Sequence, residues 1–557
     1  MASSSPVAHP YSWADTALSM GFELRPHGYI ISAFLVVLVT SVAFKLAKRD
    51  NSIPFVDPPT WLRPRPLARM DFLKTGMSVL GKAKSAVADK PFRVLSENGD
   101  LTVLPPRFAH SIRNEDDLNF GAFIKADFHY GIAGFEPFGF VDHDSQILQN
   151  VARKQLTKHG HRTALTRNSL WSEPHLWRVP WYAFTARVSI PFRRFQTNVS
   201  PTEWRSVPAK DAILDFVARL SSRVFLGDEL CRNEAWLRVT KDYTVISFMA
   251  AMKLTFVPRP LRPLVHWFLP DCRLVRQHLA QARALINGVI EQRRAAKREA
   301  AAKGGEAPSY NDAIEWAEME CKGQAYDAAV FQLTLSFAAI HTTTDLLAQT
   351  MLFLANQPEL ITPLREEVVQ VLKAEGWRKT ALYNMKLMDS ALKETQRMKP
   401  NSMFQMRRLA TKDVTLDEGI TIRRGERVVV DASAMKDPKI HGEDVDTYDI
   451  YRFRRMREEP GKMHKAQLVT TSPEHLAFGH GQHACPGRFF ASNEVKVALC
   501  HLLLKYDWKL APGNTADPFV VGVARQINPK TVIMFRRRKE ELDVDSLDFA
   551  VEGGERE

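Results

Sequence analysis

Cysteine is scarce in this chain, with five among 557 residues. They are odd in number and widely spaced, which argues against a disulfide framework or a zinc site and fits a domain kept in a reducing compartment. Internal repeats and long low-complexity linkers are also missing between Pro54 and Arg538. No G-x-G-x-x-G follows a strand pattern, so a built-in nicotinamide or flavin fingerprint is excluded. Although the length would allow several domains, we predict a single large one.

Acidic residues are in the minority, with 63 Asp and Glu against 76 Lys and Arg, and the formal net charge is +13. The longest basic stretch, 293–303, is interrupted by Glu299 and alanines, which is typical of a solvated helix end. A nucleic-acid partner is therefore not expected. In a membrane-attached protein, such an excess of positive charge favours attraction to anionic headgroups or to an acidic partner.

Long apolar runs are rare, and the clearest is Tyr29–Ala47, in which Lys45 near one end is the only charge. Its length falls within the roughly 17–25 residues that a spanning helix needs. Lys45, Lys48 and Arg49 at the C-terminal end outnumber Arg25 before the run, which predicts a cytosolic C-terminal side. A cleaved signal peptide is the alternative, but Lys-Leu-Ala-Lys-Arg is a poor cleavage site.

These features divide the chain into five predicted parts. They are a lumenal N-terminus at 1–28, a transmembrane anchor at 29–47, a proline-rich hinge at 48–66, one large domain at 67–538 and an acidic tail at 539–557.

The large domain is rich in helical patterns and has a few short strand patterns. We therefore predict a mainly α fold with small β-sheets. The predicted helices are Asp211–Leu226, Val275–Arg298, Tyr326–Ala355 and Glu359–Glu375, and the predicted strands are Val414–Leu416, Ile420–Ile422 and Arg427–Asp431.

One cysteine stands apart because of its neighbours, in residues 478–488, which read FGHGQHACPGR. A cysteine that binds a metal ion must lose its proton. Gly481 and Gly487 permit unusual backbone angles and a close approach of N–H groups to the sulfur. Pro486 suits the first turn of a helix, which predicts a helix over Gly487–Tyr506 whose N-terminus stabilises the negative sulfur.

The spacing Phe478-x-x-Gly481-x-x-x-Cys485-x-Gly487 resembles that of the cytochrome P-450 superfamily, the haem-thiolate monooxygenases. The residues that fill this motif are similar to those of fungal secondary-metabolism members. The resemblance covers roughly Pro54 to Arg538. It implies the cytochrome P-450 fold, preceded here by one N-terminal transmembrane helix, and haem b whose iron takes the Cys485 thiolate as its axial ligand. Phe478 would cover that thiolate. A buried structural cysteine between two turns is the alternative.

A second motif is the run AAIHTTT at 338–344. Threonine hydroxyls compete for helix carbonyls, which predicts a local opening of a long apolar helix. The resemblance implies that Thr342 belongs to the oxygen site, where its hydroxyl guides protons. His341 stands where most members have Asp or Glu, and an imidazole with a pKa near neutrality can still relay protons. A threonine-rich packed helix is the alternative.

Further residues are implied to hold the fold or the cofactor. The resemblance makes Glu394, Arg397 and Arg452 a buried ion cluster of structural role that supports the Cys485 loop, although Ile450 replaces the usual proline before Arg452. A surface ion pair is the alternative for Glu394 and Arg397.

Haem propionates need cationic partners or other hydrogen-bond donors. His483 is one candidate, and the pairs Arg153 or Lys154 and Arg407 or Arg408 supply others, of which we take Arg408. Plain solvated charges are the alternative.

By position, four segments are expected to line a substrate pocket, although aromatic residues there are as often ordinary core. They are Phe120–Phe140, Ala338 with Ala339, Asn401–Phe404, and Phe519–Gly522.

The resemblance predicts a membrane-bound monooxygenase that inserts one oxygen atom from O2 into a lipophilic substrate, a terpenoid or related polycyclic secondary metabolite. Electrons would come from NADPH through a separate NADPH–cytochrome P-450 reductase, docked on a basic face with Arg488, Lys496 and Lys505 as candidates. We expect a single-pass protein of the endoplasmic reticulum membrane with a cytosolic catalytic domain.

Two alternatives to this function stay open. One is a haem-thiolate isomerase or dehydratase that works without O2, although such an enzyme does not need Thr342. The other is a non-catalytic haem-binding sensor, which would carry a signalling domain that the sequence does not display.

Overall fold

The computed structural model describes residues 53–143, 146–156 and 203–547. The predicted lumenal segment, the predicted anchor, the first part of the hinge and the end of the acidic tail lie outside the described residues. Among the described helices, none is both long and apolar enough to cross a membrane. All contacts given below lie in the unit Phe55–Glu557.

Helices predominate in the described residues, as the sequence predicts. In chain order they are α1 Arg65–Val87, α2 Ala109–Ile112, α3 Phe120–Asp127, α4 Glu136–Gly139, α5 Ile147–Asn150, α6 Ala209–Leu230, α7 Glu234–Thr255, α8 Arg262–Val265, α9 Pro270–Ala302, α10 Ala313–Glu320, α11 Ala328–Asn356, α12 Ile361–Glu375, α13 Lys379–Asn384, α14 Lys386–Met398, α15 Pro438–His441, α16 Arg452–Glu458 and α17 Arg488–Lys505.

Short strands form four small sheets. The largest has the order β1-β2-β8-β5-β3, with only β2 and β8 parallel, and the others are β4-β12-β9, β6-β7 and β10-β11. The strands are β1 Phe92–Ser96, β2 Gly99–Leu104, β3 Leu118–Asn119, β4 Arg205–Pro208, β5 Phe404–Ala410, β6 Val414–Thr415, β7 Thr421–Ile422, β8 Arg427–Asp431, β9 Tyr506–Leu510, β10 Phe519–Val521, β11 Ala524–Gln526 and β12 Val532–Arg537.

Helix α11 lies at the centre of the helical part and packs against α6, α7, α9, α14 and α17. Its sequence is apolar on nearly every side, which is typical of a buried helix. Asp327 caps its start by accepting hydrogen bonds from the N–H groups of Ala329 and Val330, as an N-cap aspartate does.

The predicted opening of α11 at the threonine run is wrong, because the helix is continuous there. The Thr342 hydroxyl donates to the Ala338 carbonyl at 2.8 Å, and the Thr344 hydroxyl donates to the Ile340 carbonyl at 2.7 Å. The hydroxyls therefore bond to carbonyls that already belong to the helix and do not displace its backbone hydrogen bonds.

Candidate functional site

The Cys485 loop directs backbone donors at the sulfur. The Cys485 N–H donates to the Phe478 carbonyl at 2.8 Å, which closes the loop directly before α17. Burial raises the pKa of the Cys485 thiol, whereas the N–H groups of Gly487 and Arg488 and the Arg488 charge act in the opposite direction. These donors favour a negative sulfur, which is the form that binds a metal ion.

The two glycines of the motif have different roles. Gly481 has a φ of +78°, and a Cβ on it would lie 2.2 Å from the Arg113 carbonyl oxygen. The same carbonyl accepts the Gln482 N–H at 3.1 Å. Gly487 has a φ of −87°, and a Cβ there would meet no protein atom within 4 Å. Glycine is thus required at 481 by the contact with Arg113, the residue directly after α2, whereas Gly487 borders open space.

The predicted basic docking face around Cys485 is wrong in its residues. Lys496 is 4% exposed and binds Asp389 at 2.7 Å, and Lys505 is fully buried and binds Asp545. Arg488 turns inward and donates to the carbonyls of Val469 and Cys485. The three cations are engaged because α17 is buried on most of its circumference.

One short face of the largely buried helix α11 is exposed. Ala338 and Thr342, one helical turn apart, are exposed, whereas Ile340, Thr343 and Thr344 are buried. The Thr342 hydroxyl is therefore accessible on that face while it donates to the Ala338 carbonyl. A hydroxyl held in this way both donates and accepts, as a proton-guiding group must.

His341 differs from what the sequence predicts. Burial lowers the pKa of His341 to about 4, with a smaller contribution from the charge of Lys210, while the Lys241 carbonyl on α7 acts in the opposite direction. The imidazole is therefore neutral at physiological pH and lies against α6 and α7. Desolvation of the side chain therefore favours the neutral imidazole, and a catalytic role for His341 stays a prediction.

Glu394, Arg397 and Arg452 lie together inside the protein. Arg397 Nε donates to Glu394 Oε2 at 2.7 Å, and Arg452 Nε donates to Glu394 Oε1 at 3.1 Å. Glu394 and Arg397 are fully buried. Other donors of the two arginines reach the Asp444 carboxylate and the carbonyls of Met435, His441 and Thr447. The cluster therefore joins α14 to α16 and to the segment between α15 and α16.

The strand β5 separates Arg407 from Arg408. Burial alternates along the strand, so the two side chains point to opposite faces. Arg407 favours ionisation of Glu97 and Asp127 on one side. Arg408 lies on the other side, 2% exposed, and its Nη1 donates to the Arg407 carbonyl at 2.8 Å.

Two nitrogens of Arg408 lack a partner in the part of the chain that the structure describes. Its Nε and Nη2 are buried and have no hydrogen-bond partner among the described residues, and burial alone lowers the pKa of its guanidinium to about 10. Buried arginines are normally paired with an acid. A carboxylate of a bound group, such as a haem propionate, would complete this site.

The other propionate candidates are less suited to that role. The Lys154 ammonium binds Glu320 at 2.6 Å, so its charge is already paired. Arg153 is exposed, in the π-helical turn Val151–Gln155. The His483 ring lies 6.3 Å from the Phe120 ring, measured between centroids. The roles of His483, Phe478 and Gly487 toward haem stay predictions.

The predicted substrate segments meet in two places. The Met403 N–H donates to the Val523 carbonyl and the Arg525 N–H to the Asn401 carbonyl, which joins the segments 401–404 and 519–522 through the turn after β10. Elsewhere, Phe138 of the 120–140 segment stacks on Phe128 and lies 5.0 Å from Phe337 of α11.

Helix α7 also belongs to this region, although no motif in the sequence points to it. Phe248 packs edge-on against Phe128, with the ring centroids 4.7 Å apart. Phe248 is 46% exposed, and Val245 and Met249 on the same helix are exposed to a similar extent. The three residues lie on one helix face, at spacings of three and four. The sequence shows the apolar residues of this face at helical spacing. The same spacing is found on helix faces that pack into a core, so it does not indicate that this face is exposed.

Comparison with known proteins agrees with this geometry. The family model for cytochrome P450 matches residues 184–534. A cytochrome P450 monooxygenase 2 of Gibberella fujikuroi is 42% identical over 535 residues, covering 95% of this chain and 98% of that protein. The cytochrome P450 monooxygenase eqxH of Fusarium heterosporum is 42% identical over 530 residues, covering 94% and 98%.

Two more proteins extend the comparison. The cytochrome P450 monooxygenase TRI1 of Fusarium sporotrichioides is 39% identical over 507 residues, covering 90% of this chain and 88% of that protein. Retinoic acid-bound cyanobacterial CYP120A1 has a TM-score of 0.60 at 16% identity, covering 87% of this chain and 100% of that chain, and supports the fold alone. The chain therefore belongs to the cytochrome P450 family and is a haem-thiolate monooxygenase, an oxidoreductase that incorporates oxygen.

Proposed function

We propose that this monooxygenase oxidises a terpenoid or related polycyclic secondary metabolite, with electrons delivered from NADPH by a separate reductase. The observation that carries the proposal is the composition of two exposed faces, one on α11 beside Thr342 and one on α7. Ala338 on α11 and the α7 residues Val245, Phe248 and Met249 are all apolar and uncharged. Such a lining binds by excluding water and favours a lipophilic substrate.

Different residues of the site would bind the haem, guide protons and contact the substrate. Cys485 and Arg408 would hold the haem, which supplies the oxidising iron centre when bound. Thr342 would direct protons by accepting from water and donating onward. The aromatic cluster formed around Phe138 by Phe128, Phe248 and Phe337 would keep the substrate side dry and orient rigid ring systems by stacking and edge contacts.

We further propose that the protein is held on the cytosolic face of the endoplasmic reticulum by the segment Tyr29–Ala47. Support comes from a second apolar surface near α8. Leu264, Trp267 and Phe268 are 62%, 57% and 78% exposed beside Arg259 and Arg262. Exposed aromatic residues next to cations are typical of surfaces that enter the membrane interface.

The substrate proposal is tested with full-length protein reconstituted with NADPH–cytochrome P450 reductase in lipid vesicles. A cyclic diterpene and a linear fatty acid of equal carbon number are supplied separately under labelled O2. We expect one labelled oxygen atom in the diterpene product, with dependence on both NADPH and the reductase. Faster oxidation of the fatty acid would overturn the polycyclic class, and a product whose new oxygen atom is unlabelled, and so comes from water, would overturn oxygen insertion.

The membrane proposal is tested by deleting Met1–Asp50 and by replacing Trp267 and Phe268 with serine, singly and together. Each change should release part of the protein from vesicles in flotation, and the combination should release most of it. The matched control replaces Met463, which is also exposed but belongs to another surface. Full retention of the truncated protein would show that the segment before Asn51 is not the principal anchor.

A further inference from the structure

Asp345 lies one turn beyond Thr342 on the same face of α11. Ala338, Thr342 and Asp345 follow one another at spacings of four and three residues, so their side chains lie on one side of the helix. Ala338 and Thr342 are exposed and Asp345 is partly buried, whereas Thr343 and Thr344 are buried. A carboxyl group therefore lies beside the candidate proton-guiding hydroxyl.

The Asp345 carboxylate binds two other parts of the chain. Its Oδ2 accepts a hydrogen bond from the ammonium of Lys399, the residue directly after α14. Its Oδ1 accepts the N–H of Ile527, the residue directly after β11, at 2.7 Å. Lys399 is 4% exposed, and a lysine with so little exposed surface is normally paired with an acid. One carboxylate thus links α11 to the end of α14 and to the end of β11.

The two parts that Asp345 binds are also joined to each other. The Arg525 N–H donates to the Asn401 carbonyl at 2.9 Å. Ser402 and Ala524 form an isolated antiparallel bridge. The segment 399–404 and the β10–β11 hairpin are therefore held together by backbone hydrogen bonds, and Asp345 attaches both of them to α11.

This attachment lies close to the reacting side of the enzyme. Residues three apart on a helix are neighbours along one face, so the hairpin and the segment 399–404 meet α11 at the turn next to Thr342. Their position limits the room beside that hydroxyl. A displacement of about 1 Å at such a place is enough to change the rate at one atom of a substrate relative to another.

We propose that Asp345 is a positioning residue: it fixes the β10–β11 hairpin and the segment 399–404 against the face of α11 that carries Thr342, and thereby sets which carbon atom of the substrate is oxidised. Asp345 acts through these segments, because both of its carboxylate oxygens are already engaged. The inference rests on the proposed function, in which the substrate lies at the Thr342 face, and it adds the origin of the regioselectivity.

Lys496 provides a matched control, because it forms a similar ion pair at the other end of α14. It is also 4% exposed, and it binds Asp389 at 2.7 Å. Asp389 lies in the first turn of α14, whereas Lys399 follows its last residue, which places the two about 15 Å apart along the helix. Lys496→Met should therefore disturb the fold without moving the segments at Thr342.

The test uses the full-length haem-loaded enzyme with its reductase and the cyclic diterpene. Asp345→Asn removes the charge and keeps an acceptor for the Ile527 N–H. Lys399→Met removes the cation, and the double variant removes both charges, so that neither is left buried without a partner. The ratio of oxidised positions in the product and the denaturant midpoint are measured for each variant and for Lys496→Met.

Two further measurements need neither substrate nor turnover. Binding of 4-phenylimidazole is compared with binding of imidazole through the shift of the Soret band, since an imidazole nitrogen is a metal ligand and the phenyl ring requires room beside it. Hydrogen exchange of the peptides 399–404 and 521–527 reports how firmly the two segments are held.

We expect the ratio of oxidised positions to change about threefold or more in Asp345→Asn and in Lys399→Met. The ratio should stay changed in the double variant, although its midpoint returns toward that of the wild type. The affinity ratio of the two imidazoles should also change about threefold or more in these variants, with faster exchange in both peptides. Lys496→Met should lower the midpoint while both ratios stay within about 1.5-fold.

A double variant that regains the wild-type product ratio together with its stability would overturn the inference, as would a Lys496→Met ratio altered as much as that of Asp345→Asn. Wild-type imidazole selectivity and exchange in Asp345→Asn would overturn it too. If the diterpene is not oxidised by any of these proteins, the proposed substrate class fails. The imidazole and exchange measurements then still decide the role of Asp345.

Discussion

Arg397 and Arg408 are both arginines with almost no exposed surface, and both lie in the chain between α11 and the Cys485 loop. Arg397 donates twice to Glu394 and also to the Met435 carbonyl. Arg408 donates only to the carbonyl of its neighbour Arg407, and two of its nitrogens have no partner among the described residues.

This difference distinguishes a buried charge that is paired within the fold from a buried charge that is suited to binding a ligand. A buried ion pair with all its hydrogen bonds holds its elements in place but contributes little beyond what an apolar contact would, while breaking it is costly. An unpaired buried guanidinium destabilises the folded protein, because it has lost its hydration without gaining a partner. An anionic ligand that binds to it offsets this cost. The changes below test this division, from the largest expected effect to the smallest.

Replacing Glu394 with leucine should have the largest effect. It leaves Arg397 and Arg452 buried without their shared carboxylate, which costs about 3–5 kcal/mol of stability. The expected result is little or no soluble folded protein, and denaturant unfolding of any that is recovered gives the loss.

The matched control is Glu458→Leu, which breaks the surface pair with Arg454 at 3.4 Å. An exposed pair of this kind contributes about 0–1 kcal/mol. If both variants lose the same stability, the buried cluster has no special role.

Cys485→Ser should abolish activity while the fold remains. A neutral hydroxyl does not replace the electron-donating thiolate, so the reduced protein with carbon monoxide should lose the red-shifted Soret band of a thiolate-ligated haem. Absorption spectroscopy and product formation measure the two losses.

Cys500→Ser is the control, because this thiol is buried within α17 and belongs to the core, whereas Cys485 lies in the loop before that helix. It should keep the red-shifted band and lose only stability. Retention of the band in Cys485→Ser would contradict the assignment of the ligand.

Arg408→Met should weaken haem retention without weakening the fold. The loss of a charge-assisted hydrogen bond of about 1.5–3 kcal/mol predicts haem transfer to an excess of a haem-scavenging protein that is about 10- to 100-fold faster. Unfolding of the haem-free protein should be unchanged or shifted to higher denaturant, because an unpaired buried charge is removed.

Arg407→Met is the control on the other face of β5. It should leave haem transfer at the wild-type rate while it alters the surroundings of Glu97 and Asp127. Equal haem loss from both variants would show that Arg408 has no role in haem retention that Arg407 lacks.

Thr342→Ala should have the smallest effect on structure and a specific effect on chemistry. Haem and substrate binding should persist, while product per NADPH falls severalfold, on the order of 1 kcal/mol in the productive step, because a proton-guiding hydroxyl is removed. Peroxide release and NADPH consumption measure it.

Two variants make this result interpretable. Thr342→Ser should restore coupling, since it keeps the hydroxyl. His341→Ala should leave the pH profile between about pH 6 and 8 unchanged, because the imidazole already titrates at about 4. A pH profile altered in that range would show that the histidine carries protons.

The sequence predicts elements well where periodicity is strong. The predicted helix Tyr326–Ala355 is found at Ala328–Asn356, and the predicted strand Arg427–Asp431 is found with the same bounds. The motif positions also predict which residues surround the sulfur and which form the ion cluster, since both depend on spacing within a loop or a helix.

Burial of individual charges is less predictable. Lys496 and Lys505 look like surface residues because lysine usually is one, but acids from α14 and from the chain after β12 reach them. The neutral state of His341 and the opposite faces of Arg407 and Arg408 also depend on the elements that pack nearby. No local pattern records those neighbours.

Gly481 has a consequence for recombining this enzyme with its relatives. Because the space for a Cβ at this position is taken by the Arg113 carbonyl, the turn before Cys485 and the end of α2 interlock at van der Waals contact. The two segments are more than three hundred residues apart in sequence but pack directly against each other. A chimera that exchanges the Cys485 turn should therefore take residues 109–114 from the same parent, because a crossover between them would pair surfaces that were never fitted to each other.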